Sequence, residues 1–184
     1  MNEVLQCIKT RYTCRAYDGK LPERQTLTQV AQAAAEAPSA MNRQPWQIVV
    51  IADKQLIGRM DDAGMNALKQ AKDKAVYNRF MERGGRLFYN APCMFLVLMR
   101  QGMGLDTGIV SENIALAAHS LGLGSTICGM AALPFECAEG RAFKEEIGIE
   151  QDWEFGIAVL VGQPAKTGAP HQPDAGKIRF VEGE

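Results

Sequence analysis

Histidine is almost missing from this chain: its 184 residues contain only His119 and His171. An imidazole-based metal centre would need ligands that two distant histidines do not supply. The five cysteines (Cys7, Cys14, Cys93, Cys128 and Cys137) form no CxxC pair and are odd in number. With no signal-peptide pattern at the N-terminus, reduced thiols in a cytoplasmic protein are expected. No apolar run is long enough to span a bilayer. The net charge of −1 gives no global attraction for nucleic acid or for an anionic membrane. Neither GxGxxG nor a Walker A sequence occurs, so a Rossmann dinucleotide site and a P-loop are both unsupported.

What is present reads as one ordinary globular domain over residues 1–184, with 47% apolar and 22% charged residues. Val4, Leu5 and Ile8 at helical spacing predict a short amphipathic helix over residues 2–10. Asp18-Gly19 reads as a turn, and Pro22-Glu23 open a second helix that stops before Pro38. Residues 47–52, 94–99 and 154–161 are strongly apolar and predict buried strands, with a shorter extended piece at 125–130. Residues 54–89 read as two helices, broken near Asp61–Gly64 or near Gly84–Gly85. Asp106–Gly122, apolar on most sides, predicts a largely buried helix capped by Asp106 or Thr107 and closed by Gly122 or Gly124. Another helix is expected from Pro134 to about Ile147, and a terminal strand over 177–181. This order of elements predicts a three-layer α/β/α domain. The tail from 165 to 184 has few apolar residues to bury within its own chain and is expected to wrap a partner subunit.

Three groups of residues invite a common chemistry. Arg11, Thr13 and Arg15 alternate, so in extended backbone they point the same way. Forked guanidinium donors and a hydroxyl suit phosphate oxygens, although two arginines also suit an ordinary charged surface. Lys177 and Arg179 alternate in the same manner far along the chain. Between Pro38 and Pro45, Ser39, Asn42, Arg43 and Gln44 offer hydroxyl, amide and guanidinium groups without any apolar period. Such a loop either presents polar groups to a ligand or is a solvated connection. Phosphate at one end and polar edge contacts at the other describe a nucleotide-like ligand.

The motifs resemble those of the FMN-dependent nitroreductases. Thr10-Arg11-Tyr12-Thr13-Cys14-Arg15 is similar to their N-terminal R-[RHY]-[ST]-x-[RK] segment, and Ala37–Trp46 to their A-P-S-x-x-N-x-Q-P-W signature. Glu112–Ala118 with Leu121-Gly122-Leu123-Gly124 resembles their buried helix and the turn after it. Gly162-Gln163-Pro164 and a late Lys-x-Arg follow in the same order. The resemblance implies an α+β sandwich with a mixed, mostly antiparallel sheet, forming an intertwined homodimer with two FMN sites at its interface. Arg11, Tyr12, Thr13 and Arg15 would hold the phosphate and ribityl chain, and Lys177 and Arg179 would complete the clamp. Pro38, Ser39, Ala40, Met41 and Asn42 would reach the flavin from the other subunit. Asn78 would read the pyrimidine edge. Thr126, Ile127, Cys128 and Gly129 would lie along the ring, with the Cys128 backbone N–H facing N5. No catalytic side chain is implied, because the flavin carries the reaction: NADH or NADPH would reduce it, and a nitroaromatic, quinone or similar small acceptor would reoxidise it by a ping-pong route. A branch devoted to dehalogenation or azoline oxidation and a non-catalytic FMN-binding protein are the alternatives. Cys128 stands where many members carry an acidic residue.

Overall fold

The computed structural model describes residues 2–183. Its helices are α1 (Glu3–Thr10), α2 (Arg24–Ala35), α3 (Lys54–Gln70), α4 (Ala75–Glu82), α5 (Gly104–Ser120), α6 (Leu133–Glu136) and α7 (Gly140–Ile147). The strands are β1 (Trp46–Ile51), β2 (Cys93–Met99), β3 (Gly124–Cys128) and β4 (Glu154–Gly162). They make one sheet in the order β1-β2-β4-β3. Helices and an antiparallel sheet together make this an α+β fold. Where the sequence suggested a mixed sheet, every ladder among the described residues is antiparallel. The one parallel contact is an isolated bridge between Thr13 and Ser125.

β2 and the second half of β4 are apolar throughout because both of their faces are covered. Met94, Leu96, Leu98, Ala158 and Leu160 join one hydrophobic cluster with Leu56, Met60, Phe80, Phe88 and Phe143. The alternate residues Phe95, Val97, Val159 and Val161 join a second cluster with Leu27, Val30, Ala34, Val110, Ile114 and Ala118. The two-residue period of the strands thus divides the core between helices α3, α4 and α7 on one side and α2 and α5 on the other.

Gly156 lies directly against Thr107 of α5. The β2–β4 register slips between Val97 and Leu98, which face Ile157 and Phe155, so Gly156 is the extra residue of a bulge. A methyl group there would lie 2.6 Å from Thr107 Cγ2 and 2.8 Å from the Val97 carbonyl oxygen. Gly156→Ala should therefore cost about 1–3 kcal/mol by overpacking. Chemical denaturation of the two proteins measures the difference.

Several sequence expectations need correction. α3 runs unbroken through Asp61–Gly64, and the interruption falls at 71–74, where the Asp73 carboxylate accepts the Ala75 N–H at 2.8 Å. The helix expected over 134–147 is two helices, because Cys137 is extended and Gly140 packs directly on the Phe135 backbone. α5 begins at Gly104 with no side-chain cap; the Thr107 hydroxyl donates to the Gly104 carbonyl instead. Gly122, at φ 77°, does close that end. Residues 177–181 form no strand: the Asp174 carboxylate accepts the Gly176 N–H and starts a short 3-10 turn over Ala175–Lys177.

Candidate functional site

Residues 11–17 leave α1 as an extended segment laid along the outer edge of β3. The Cys14 N–H donates to the Ser125 carbonyl at 2.9 Å, and the Thr126 hydroxyl donates to the Cys14 carbonyl. Farther on, the Asp18 N–H donates to the Gln163 carbonyl and the Ala165 N–H to the Ala16 carbonyl. Cys14 and Tyr17 are buried; Thr13 and Arg15 are exposed. The alternation read from the sequence therefore holds over residues 13–15, with the polar side chains outward and the thiol inward. Tyr17 fixes the segment from below, its hydroxyl lying 3.1 Å from Thr126 Oγ1 and donating to the Leu160 carbonyl at 3.3 Å. Burial pushes the phenol well above its ordinary pKa, so it stays protonated as a donor.

Arg11 is the residue at which α1 ends, its N–H donating to the Cys7 carbonyl at 3.0 Å. Its side chain is 19% exposed, and its Nε lies 3.5 Å from Glu112 Oε1 on α5. That Nε is buried and makes no hydrogen bond. A half-satisfied guanidinium beside the outward-facing Thr13 and Arg15 is a donor set suited to an oxyanion such as a phosphate.

At the far end of β3 the chain turns at Cys128 into a 3-10 turn over Gly129–Ala132. Ile127 and Gly129 are exposed; Thr126 and Cys128 are buried. The Thr126 side chain is committed to Cys14 and Tyr17, so only its backbone is left for a ligand. Burial pushes the Cys128 thiol up to about 11, despite bonds from the Met130 and Ala131 backbone that favour its thiolate. A thiol so protonated is a weak nucleophile. Cys128 in the folded protein should resist a disulfide reagent at pH 7.5 and react only after unfolding; peptide mapping after timed labelling checks this.

The loop between α2 and β1 has a fixed shape of its own. Ser39 Oγ accepts the Gln44 N–H at 2.8 Å, and the Gln44 amide donates to Asn42 Oδ1 at 2.8 Å. Met41, Asn42 and Gln44 all have left-handed φ, 53°, 52° and 46°. Such backbone costs of order 1–3 kcal/mol per residue unless surroundings impose it, and it clusters at ligand sites. Pro38, Ala40, Met41 and Asn42 are exposed, and Ser39 is half-buried. Among the described residues, no hydrogen bond ties this loop's side chains to the arginine segment.

The remaining candidates stand apart. Asn78 is exposed on α4, and Lys177 and Arg179 are exposed in the tail. Tyr12 packs against that tail: its hydroxyl lies 3.5 Å from the Lys166 carbonyl, and Gly168 is close enough to its ring that a methyl group would sit 2.3 Å away. Two groups escaped sequence reasoning. His119 Nε2 lies 2.9 Å from Thr10 Oγ1, and Gln47 Oε1 is buried without a partner. Among the described residues, no cluster of three His, Cys, Asp or Glu side chains could hold a metal, and no helix is long and apolar enough to cross a membrane.

Residues 8–163 match the sequence model of the nitroreductase family, which spans the arginine segment, the proline-bracketed loop and the whole sheet. The chain belongs to that family. A nitroreductase with bound FMN from Desulfitobacterium hafniense DCB-2 is similar at 42% identity and a TM-score of 0.96, covering 99% of this chain and 100% of that one. A protein of Archaeoglobus fulgidus, provisionally named an NADH dehydrogenase/NAD(P)H nitroreductase, is 27% identical over 172 residues, 89% of this chain and 87% of its own. The iodotyrosine deiodinase of Thermotoga neapolitana is 24% identical over 172 residues, 89% of this chain and 90% of its own. Nitroreductase membership makes the chain an oxidoreductase.

Proposed function

We propose that this nitroreductase-family protein binds FMN and transfers electrons from NADH or NADPH to electron-poor small molecules, nitroaromatics and quinones among them, by a ping-pong route. The observation that carries the reading is the fixed arginine segment: Arg11, whose Nη groups make no hydrogen bond or ion pair among the described residues, beside outward-facing Thr13 and Arg15, held on β3 by backbone bonds. Phosphate is the part of FMN that such donors fit, and the similarity to an FMN-bound nitroreductase at 42% identity agrees with it. When bound, FMN supplies the two-electron chemistry, so the chain itself need contribute no nucleophile.

The chain's own residues then act by holding. Arg11, Thr13 and Arg15, with the Tyr12 backbone, take the phosphate and ribityl chain. Ile127 and Gly129, exposed at the end of β3, offer their surface to the ring, and Thr126 and Cys128 offer backbone. A backbone N–H at Cys128 directed to N5 would stabilise charge there without any change in its buried thiol. Ser39, Asn42 and their neighbours Pro38, Ala40 and Met41 serve the site of a second subunit, with Lys177, Arg179 and Asn78 completing it.

A homodimer with helices on both faces of its sheet is part of this reading, and exposed apolar surface supports it. α1 buries none of its residues, leaving Val4, Leu5 and Ile8 exposed beside an open groove of about 520 Å³ between α1, α2 and α5. In the tail, Ile178, Phe180 and Val181 are 67%, 81% and 85% exposed. Apolar side chains grouped in this way are characteristic of an uncovered interface.

Anaerobic addition of NADH or NADPH to the yellow protein tests the function. The flavin absorbance should bleach and then return when a nitroaromatic or quinone is added. Flavin that stays oxidised with both nicotinamides would leave a binding protein without turnover. Selective turnover of a halogenated substrate, with poor nitro reduction, would favour a dehalogenating branch.

A further inference from the structure

We infer that Glu112 on α5 is a positioning residue for the cofactor phosphate, acting through Arg11. This rests on the FMN reading above and adds to it a residue that never touches the ligand. Three contacts join the C-terminal part of α1 to one stripe of α5. Cys7 Sγ donates to the Leu116 carbonyl at 3.4 Å, Thr10 Oγ1 lies 2.9 Å from His119 Nε2, and Arg11 Nε lies 3.5 Å from Glu112 Oε1. Positions 112, 116 and 119 are spaced by four and three residues, so they share one face of the helix. The Thr10 hydroxyl donates to the Gln6 carbonyl at 2.8 Å, which leaves His119 Nε2 as the donor to Thr10. His119 is held neutral by burial first and by the Arg11 charge second. Glu112 is thus the counter-charge that this stripe offers to Arg11.

The geometry separates positioning from competition. A carboxylate hydrogen-bonded across both Nη atoms would occupy the edge that a phosphate needs. Glu112 approaches Nε instead, at a distance that attracts without forming a hydrogen bond. Arg11 makes no other ion pair or side-chain hydrogen bond among the described residues, so its two Nη groups are left for an anion. Taking a guanidinium to 19% exposure is costly without a counter-charge, and Glu112 offsets that cost before any ligand arrives. Its own carboxylate, 44% exposed, stays partly hydrated. The pair therefore pre-organises one arginine of the phosphate site, which lowers the ordering cost at binding.

Glu112→Gln keeps the shape and removes the charge. Its dissociation constants for FMN and for riboflavin, which lacks the phosphate, should be measured beside those of Arg11→Ala and of the double variant. Glu112→Gln should weaken FMN by about fivefold and change riboflavin by less than about twofold. In the Arg11→Ala background the same substitution should have no further effect on FMN, because the residue through which it acts is gone. Glu112→Ala, with melting temperatures recorded for every variant, repeats the test should the first variant accumulate poorly. Unchanged or tighter FMN binding in Glu112→Gln would overturn the inference and make the carboxylate a bystander or a competitor. Equal losses for FMN and riboflavin would overturn it as well, showing a role in the fold alone. An Arg11→Ala variant that still prefers FMN over riboflavin as strongly as the parent would instead defeat the phosphate site itself, a separable result.

Discussion

Alanine at both Arg11 and Arg15 should weaken FMN binding by about 100-fold or more while leaving riboflavin nearly untouched. Each guanidinium bond to a phosphate oxygen contributes about 1.5–3 kcal/mol net, and two such losses exceed 2.7 kcal/mol, or about 100-fold. The two positions differ in setting. Arg11 is 19% exposed and counter-charged by Glu112, whereas Arg15 is exposed and unpaired among the described residues. Arg11→Ala alone should therefore be the more damaging single change, since its partner and its burial have already fixed its geometry. The backbone of the segment should survive both substitutions, because its anchors are the Cys14 N–H, the Thr126 hydroxyl and Tyr17, none of which is replaced. Fluorescence titration with the two flavins measures the ratio. A parallel loss of riboflavin would assign both arginines to the fold.

The tail should produce the other large effect. Serine at Ile178, Phe180 and Val181 together should loosen the dimer by about 100-fold or more, since burying each such side chain contributes about 1.5–3 kcal/mol. These residues are among the most exposed apolar side chains of the chain, while Ala165, Tyr12 and Gly168 tie the start of the tail to its own subunit. In the proposed homodimer this segment, anchored at one end and apolar at the other, covers the partner subunit. FMN should be lost along with dimerisation in this variant, although Lys177 and Arg179 remain. Sedimentation velocity over a concentration series measures the shift. Unchanged dimerisation would place the contact elsewhere, with α1 the next surface to substitute.

Much of the fold was legible because its central elements are extreme. Residues 93–99 and 157–161 are apolar on both faces, which only a covered strand tolerates, and α5 is apolar around most of its circumference. Alternation made the outward turn of Thr13 and Arg15 legible, but not Arg11, which ends α1 and faces Glu112 instead. What failed did so for identifiable reasons. The break between α3 and α4 lies in Ala71-Lys72-Asp73-Lys74, where no glycine or proline marks it: α3 ends at an extended Ala71, and the Asp73 carboxylate accepts the first N–H of α4. Residues 177–181 have strand composition, but a strand needs an edge to pair with, and composition does not reveal whether the chain supplies one. In the loop, Asn42 is an ordinary left-handed residue, but Met41 and Gln44 are not, so their positive φ could not be read from residue type. In the sequence Glu112 is only a polar exception in an apolar helix, and His119 only one of two histidines too few for a metal site. Only the packing of α1 on α5 shows that they face Thr10 and Arg11.

In the proposed homodimer two copies of this chain build each FMN site together. Size-exclusion chromatography with light scattering, monitored at the flavin absorbance band and in the ultraviolet, tests it on one sample. The expected result is a particle of twice the 20.1 kDa chain mass carrying close to one FMN per chain, with loss of flavin from whatever fraction dissociates on dilution. A 20.1 kDa monomer that keeps its FMN through the column would contradict it.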